Sequence, residues 1–170
     1  MALNDNRIVI CEKPAVLPWQ PVIDDDRINI VLQYRWLPDD IKGDSIDVKV
    51  VRDENYFKSW KGNPILTGGV FYNIFIHYID LAIRKRIKFI GQIEPSGEQY
   101  RKFGNYDLQS HDMNDLYFKM YKDIVFNDNG VKPKDLFYLD WVLKHCNWKY
   151  GMGKKIMGQK IEFDPLNLEV

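Results

Sequence analysis

The alternation of apolar and polar residues divides this chain into short strands and three longer helical stretches. "RIVIC" (7–11) is a nearly continuous apolar run of the kind found in a buried parallel strand. "EKPAVLPWQPV" (12–22) holds three prolines, which excludes a regular helix or a central strand. "RINIVLQY" (27–34) begins by alternating and reads as a strand. "SIDVKVV" (45–51) alternates cleanly, with Ile46, Val48 and Val50 on one face and Asp47 and Lys49 on the other. "NYFKSWKGNP" (55–64) is an aromatic segment closing in turn residues. A helix is predicted from about residue 69 to about 84, with Thr67 as its N-cap. "IKFIGQIE" (87–94) is a further strand, and "SGEQYRKFGNYDLQS" (96–110) fits a hairpin. "DMNDLYFKMYKDIVF" (112–126) repeats apolar residues at Leu116, Met120 and Ile124, and Asn129-Gly130 is expected to end that helix. "KPKDLFYLDWVLKHC" (132–146) is a third helix with Pro133 near its start, followed by a lysine-rich, extended tail. The sum is an α+β fold: an open, mostly antiparallel sheet with helices packed on one face.

The helix at 69–84 breaks its own pattern. At about 100° per residue, Asn73, His77, Asp80 and Arg84 fall within about 60° of one another on an otherwise apolar cylinder. A surface helix carries a broader polar face, so a narrow stripe on a buried helix points at a partner, a cleft or water. Solvation, or a structural Asp80–His77 pair, accounts for it without function. The functional alternative makes His77 a general base or a ligand donor whose ring a carboxylate holds. A metal site would need a third ligand, for which His111 and Asp112 are the candidates. Gly68-Gly69 permits close approach of a phosphate to the amides at the helix start, and a tight turn explains it equally.

Composition narrows the partners. Lys and Arg number 24 against 24 Asp and Glu, which removes the net positive charge that nucleic-acid binding usually needs. With 45% apolar and 14% aromatic residues the 170-residue chain suits one packed domain. Cys11 and Cys146 form no metal-ligand spacing, and no run approaches a membrane span or a signal segment, so no membrane is expected and a cytoplasmic protein is the default.

Taken in order, several motifs resemble the glucose–fructose oxidoreductase / inositol dehydrogenase (Gfo/Idh/MocA) family, and within it the UDP-N-acetylglucosaminuronic acid 3-dehydrogenases. "VICEKP" (9–14) is similar to the motif ending that family's nucleotide-binding domain. "LQYR" (32–35) resembles the strand that opens its second domain. "SWKGNPILTGGVFYNIFIHYIDL" (59–81) resembles the SWKG, SGG and NIGIHxxD stretch of the uronic-acid branch, and "DLYFKMYKDIVFNDNGVKPKD" (115–135) its late helix. The resemblance implies a sugar bound between the two domains, with Lys13 and His77 as the catalytic pair, one of them taking a hydroxyl proton. It implies Asn73 as a hydrogen-bonding partner of the sugar, with Gln33, Arg35, Trp60, Lys61 and Asp80 as further substrate-side residues. Arg35 or Lys61 would meet a carboxylate. The family's cofactor is NAD(P), and its second domains often self-associate through the open sheet face.

One part of the family's pattern is not found. A dinucleotide fingerprint is G-x-G-x-x-G after a first strand, and only 11 residues precede Glu12, less than one βαβ unit of about 30 residues. "GMGKKIMG" (151–158) imitates it without a preceding strand. Residues 1–20 therefore read as a remnant of a nucleotide-binding (Rossmann) domain and 21–170 as the substrate and oligomerisation domain, with no cofactor retained by this chain. Between 14 and 32 the chain is also too short and proline-rich for the family's linking helix. The expectation is a truncated relative without redox activity alone that retains nucleotide-sugar binding. The alternatives are half of a split oxidoreductase served by a separate nucleotide-binding chain, and a homo-oligomeric self-association module.

Overall fold

The computed structural model describes residues 7–13, 20–21, 23–136, 157–158 and 160–167. Its centre is a five-stranded mixed sheet in the order β6-β5-β3-β4-β7, and its helices lie on one face. β3 (Ser45–Val51) and β4 (Lys88–Glu94) run parallel, with Ile46 opposite Phe89 and Val50 opposite Ile93. β5 (Tyr100–Phe103), β6 (Tyr106–Asp107) and β7 (Lys160–Phe163) join antiparallel. The expected α+β architecture is present, with a parallel pair at its middle. That pair exists because α3 (Val70–Lys85) carries the chain back across the sheet between β3 and β4. Ile46, Val48 and Val50 are buried beneath it, as the alternation of β3 predicts. Phe75 of α3 meets Phe89 of β4 edge to face, with ring centroids 5.5 Å apart.

A smaller parallel pair, β1 (Val9–Cys11) with β2 (Ile28–Ile30), joins the same core. β1 is less buried than an apolar run suggests: Ile8 and Ile10 are exposed. The strand read at 27–34 is only three residues long. Beyond Ile30 the chain is buried on every side, not alternately, and Gln33–Trp36 coils into a 3-10 turn. That turn packs against α4 (Met113–Asn127), whose Leu116, Met120 and Ile124 are buried as their spacing predicts. Asp128, in the left-handed region at φ 47°, caps α4, ahead of the expected Asn129-Gly130. The hairpin at 96–110 forms through a Gly104-Asn105 turn between β5 and β6.

Two short helices, α1 (Glu54–Lys58) and α2 (Pro64–Thr67), precede α3. Thr67 is not the cap of α3. Its hydroxyl donates to the Asn63 carbonyl just before α2, and Gly69 takes the cap position without a side-chain bond. Gly68 and Gly69 have φ of 79° and 106°, conformations that residues with a Cβ rarely adopt, so the sharp turn between the helices accounts for both. Among the described residues no helix is long and apolar enough to cross a membrane. Most of the helix expected at 132–146, and Cys146, lie outside the described residues.

Candidate functional site

The polar stripe of α3 divides between two sites. At its N-terminal end, Lys13 reaches over from the end of β1, and its Nζ donates to the Asn73 carbonyl at 2.5 Å. In a helix that carbonyl is the acceptor for the His77 amide, so the ammonium sits one turn from the imidazole. The Asn73 side chain donates through Nδ2 to the Tyr56 hydroxyl at 3.2 Å, which joins α1 to the site. The His77 ring stands edge-on to Tyr34, with centroids 5.9 Å apart. Its Nδ1 is shielded from solvent and has no hydrogen-bond partner. Gln33 Oε1, on the 3-10 turn that carries Tyr34, is buried and equally unpartnered. Most buried polar atoms are satisfied, so an orphaned imidazole nitrogen within reach of the Lys13 charge marks a place where a polar ligand would be received.

Charge and burial set the proton states. Burial pulls the Lys13 ammonium down to about 8; Glu12 opposes that shift and the nearby charge of Lys61 adds to it. Burial, and then the charge of Lys13, push His77 down to about 3. Near neutral pH the imidazole is therefore neutral, and the amine is the group within reach of losing and regaining a proton. An amine poised in this way beside a neutral imidazole can exchange a proton with a hydroxyl held between them.

Asp80 is engaged elsewhere. Arg35 Nε and Nη2 donate to its two carboxylate oxygens at 2.9 and 2.6 Å, a bidentate pair with side chains only 12% and 6% exposed. Asp80 does not orient His77, and Arg35 already holds a carboxylate of its own chain, with Asp135 3.9 Å from its Nη1. This pair ties the 3-10 turn to α3, and so helps place Tyr34 against His77. Arg84, the fourth member of the stripe, is exposed. Trp60 is exposed at 61%, and Lys61 Nζ lies 5.8 Å from the centre of the Tyr56 ring.

Three tyrosines belong to this region without having stood out in the sequence. Tyr56 carries the hydrogen bond from Asn73, and the Tyr34 and Tyr78 rings lie with centroids 5.4 Å apart. Tyr34 lay inside the quoted "LQYR", but aromatic residues so abundant carry no distinguishing spacing. His111 is remote from the stripe in its bonding: its Nδ1 pairs with the Tyr106 hydroxyl at 2.7 Å. No three His, Cys, Asp or Glu among the described residues are grouped to hold a metal ion. Nor do the described residues form a dinucleotide cradle: no glycine-rich loop leads from β1 or β2 into a helix, and residues 151–156 lie outside them.

Residues 43–84 match the model of the oxidoreductase family C-terminal alpha/beta domain (GFO_IDH_MocA_C), a span running from before β3 through most of α3 and including Asn73, His77 and Asp80. No curated protein matches the chain. Among solved structures, the fold is similar to that of the WlbA (WbpB) dehydrogenase from Thermus thermophilus, crystallised in complex with NAD and alpha-ketoglutarate. The TM-score is 0.57 at 17% identity, and the likeness covers 77% of this chain and 61% of that one. This chain thus spans about three fifths of that structure.

Proposed function

We propose that this chain is the substrate-side part of a Gfo/Idh/MocA-type dehydrogenase acting on a nucleotide-sugar uronic acid of the UDP-N-acetylglucosaminuronic acid class. In this reading the sugar hydroxyl to be oxidised lies between Lys13 and His77. Neutral Lys13 takes the hydroxyl proton, His77 holds the hydroxyl through a ring nitrogen, and Gln33 and Asn73 bind neighbouring sugar groups. The observation that carries the reading is Lys13 Nζ docked on the Asn73 carbonyl, one helical turn from an imidazole with an unpartnered nitrogen. The motif order and the matched span at 43–84 support it.

The described residues do not fit the family's dinucleotide, so no step here is routed through it, and the chain alone is expected to lack NAD-dependent activity. Calorimetry with UDP-N-acetylglucosaminuronic acid tests the reading. Wild type should bind, and Lys13→Met and His77→Asn should each weaken binding about tenfold or more, since each leaves a desolvated polar group of the ligand unpaired. Absence of heat with wild-type protein overturns it.

A further inference from the structure

Next to the Lys13–His77 pair the fold gathers positive charge, in which Lys61, already felt at Lys13, is joined by Arg52 and Arg101. Arg52 leaves the end of β3, and its guanidinium lies 5.2 Å from the centre of the Tyr56 ring. Lys61 stands 5.8 Å from the same ring centre. Arg101 of β5 lies opposite Val48 of β3, and directly paired residues share a face, so it is on the helix-covered side of the sheet. Its charge acts on both Tyr34 and Tyr78, and that of Arg52 also acts on Tyr78.

No ion pair among the described residues joins a carboxylate to Arg52, Lys61 or Arg101. Arg101 Nε is shielded from solvent and has no hydrogen-bond partner. Asp107 is the carboxylate felt at Tyr34, and its Oδ1 already accepts from the Gln109 amide. Arg52 and Lys61 meet at the Tyr56 ring, and Arg101, on the helix-covered face of the sheet, keeps a dry and unsatisfied donor whose charge is felt at Tyr78 as that of Arg52 is, a combination that suits an anion.

We propose that Arg52, Lys61 and Arg101, set around Tyr56 and Tyr78, form an oxyanion subsite that anchors a phosphate or carboxylate group of the ligand whose hydroxyl lies at Lys13. The proposal rests on the reading above for the identity of the whole ligand, but the subsite itself does not need it. Arg101 supplies the directed donors, Arg52, whose Nη1 already donates to the Val51 carbonyl at 2.7 Å, a second guanidinium, and Lys61 a mobile charge at the rim. The tyrosines provide an apolar floor that keeps water from competing with the anion.

Calorimetry with two small probes, inorganic pyrophosphate and D-glucuronate, reads the subsite separately from the sugar chemistry. Wild type should bind at least one of them. Arg101→Gln should weaken that binding at least tenfold and Arg52→Gln about fivefold, with Arg101→Lys recovering part of the loss. Circular dichroism melting accompanies each variant, and Arg52→Gln serves if Arg101→Gln unfolds. Loss for pyrophosphate identifies phosphate as the anchored group, and loss for glucuronate identifies the carboxylate; either supports the subsite. Failure of wild type to bind both probes, or binding indifferent to both substitutions, overturns it. If Lys13→Met leaves pyrophosphate binding intact while the nucleotide sugar gives no heat with wild type, the subsite stands and the functional reading falls.

Discussion

Lys13 carries its charge into a place that suits a neutral amine, and its neighbours tune that conflict in opposite directions. Removing the repelling charge by Lys61→Met should raise the Lys13 pKa above about 8, whereas Glu12→Gln should lower it. The pH dependence of amine labelling at Lys13 measures both, and shifts of the same sign would refute the assignment. The conflict also costs stability. A lysine free in the unfolded chain binds its proton below 10.5 and the folded one below about 8, so stability falls as pH drops through that window. Lys13→Met should therefore raise stability at pH 7 by on the order of 1 kcal/mol, a few degrees in Tm, while weakening ligand binding. His77 follows the same sign at lower pH: unfolded histidine charges below 6.5 and the folded one only near 3, so stability falls across that interval as pH drops. Denaturant midpoints compared between wild type and His77→Asn should show a shallower acid slope in the variant. Asp80 behaves differently from its neighbours on the stripe. Asp80→Ala leaves the buried Arg35 with only the more distant Asp135 as counter-charge, and should cost roughly 3 kcal/mol in chemical denaturation.

Helix α3 explains why a stripe legible in the sequence has two destinations. Asn73 and His77 face the turn that brings Lys13 across, and one turn further the 3-10 segment presents Arg35 to Asp80. The helical period placed all four residues on one side, but it carries no information about which segment arrives opposite each. β4 shows the same limit. Its alternation was plain, yet the need for Gly91 was not. A Cβ there would come within 2.7–2.8 Å of the Phe89 ring and 3.3 Å of the Phe75 ring, the pair that seats α3 on the sheet. Gly91→Ala should destabilise by about 1–3 kcal/mol through overpacking, and Phe89→Leu in the same chain should recover part of that loss. Equal destabilisation with and without Phe89→Leu would show that the ring is not the obstacle. The strand read at 27–34 stops at Ile30 because Val31–Tyr34 is buried throughout, and without an outward face the period of 2 disappears.

Across the whole molecule, β1 and β2 are hydrogen-bonded to each other and not to the large sheet, yet their side chains enter one core. Ile28, Ile30 and Leu32 pack with residues of β3, α3 and β4, and Ile30 also bridges to Val131 beyond α4. The segment carrying Lys13 is thus coupled to the sheet through apolar contact. Unfolding should accordingly be a single transition, with far-UV and near-UV circular dichroism midpoints coinciding. An earlier transition in the near-UV signal would show β1 and β2 separating from the rest. The same coupling means that destabilising the Arg35–Asp80 clamp should loosen Lys13 as well as the 3-10 turn.

The sequence by itself determined the strands β3 and β4, the helices α3 and α4 and the narrow stripe, because local periodicity and apolar spacing act within a single element. It also carried the order of motifs that brought Lys13 and His77 forward together. Only the tertiary structure decided that Asn73 receives Lys13 and that Asp80 belongs to Arg35. The gathering of Arg52, Lys61 and Arg101 around Tyr56 and Tyr78 was decided there too. Such pairings join residues tens of positions apart, and their energy depends on distance and burial, neither of which is encoded in the spacing of residues along one element.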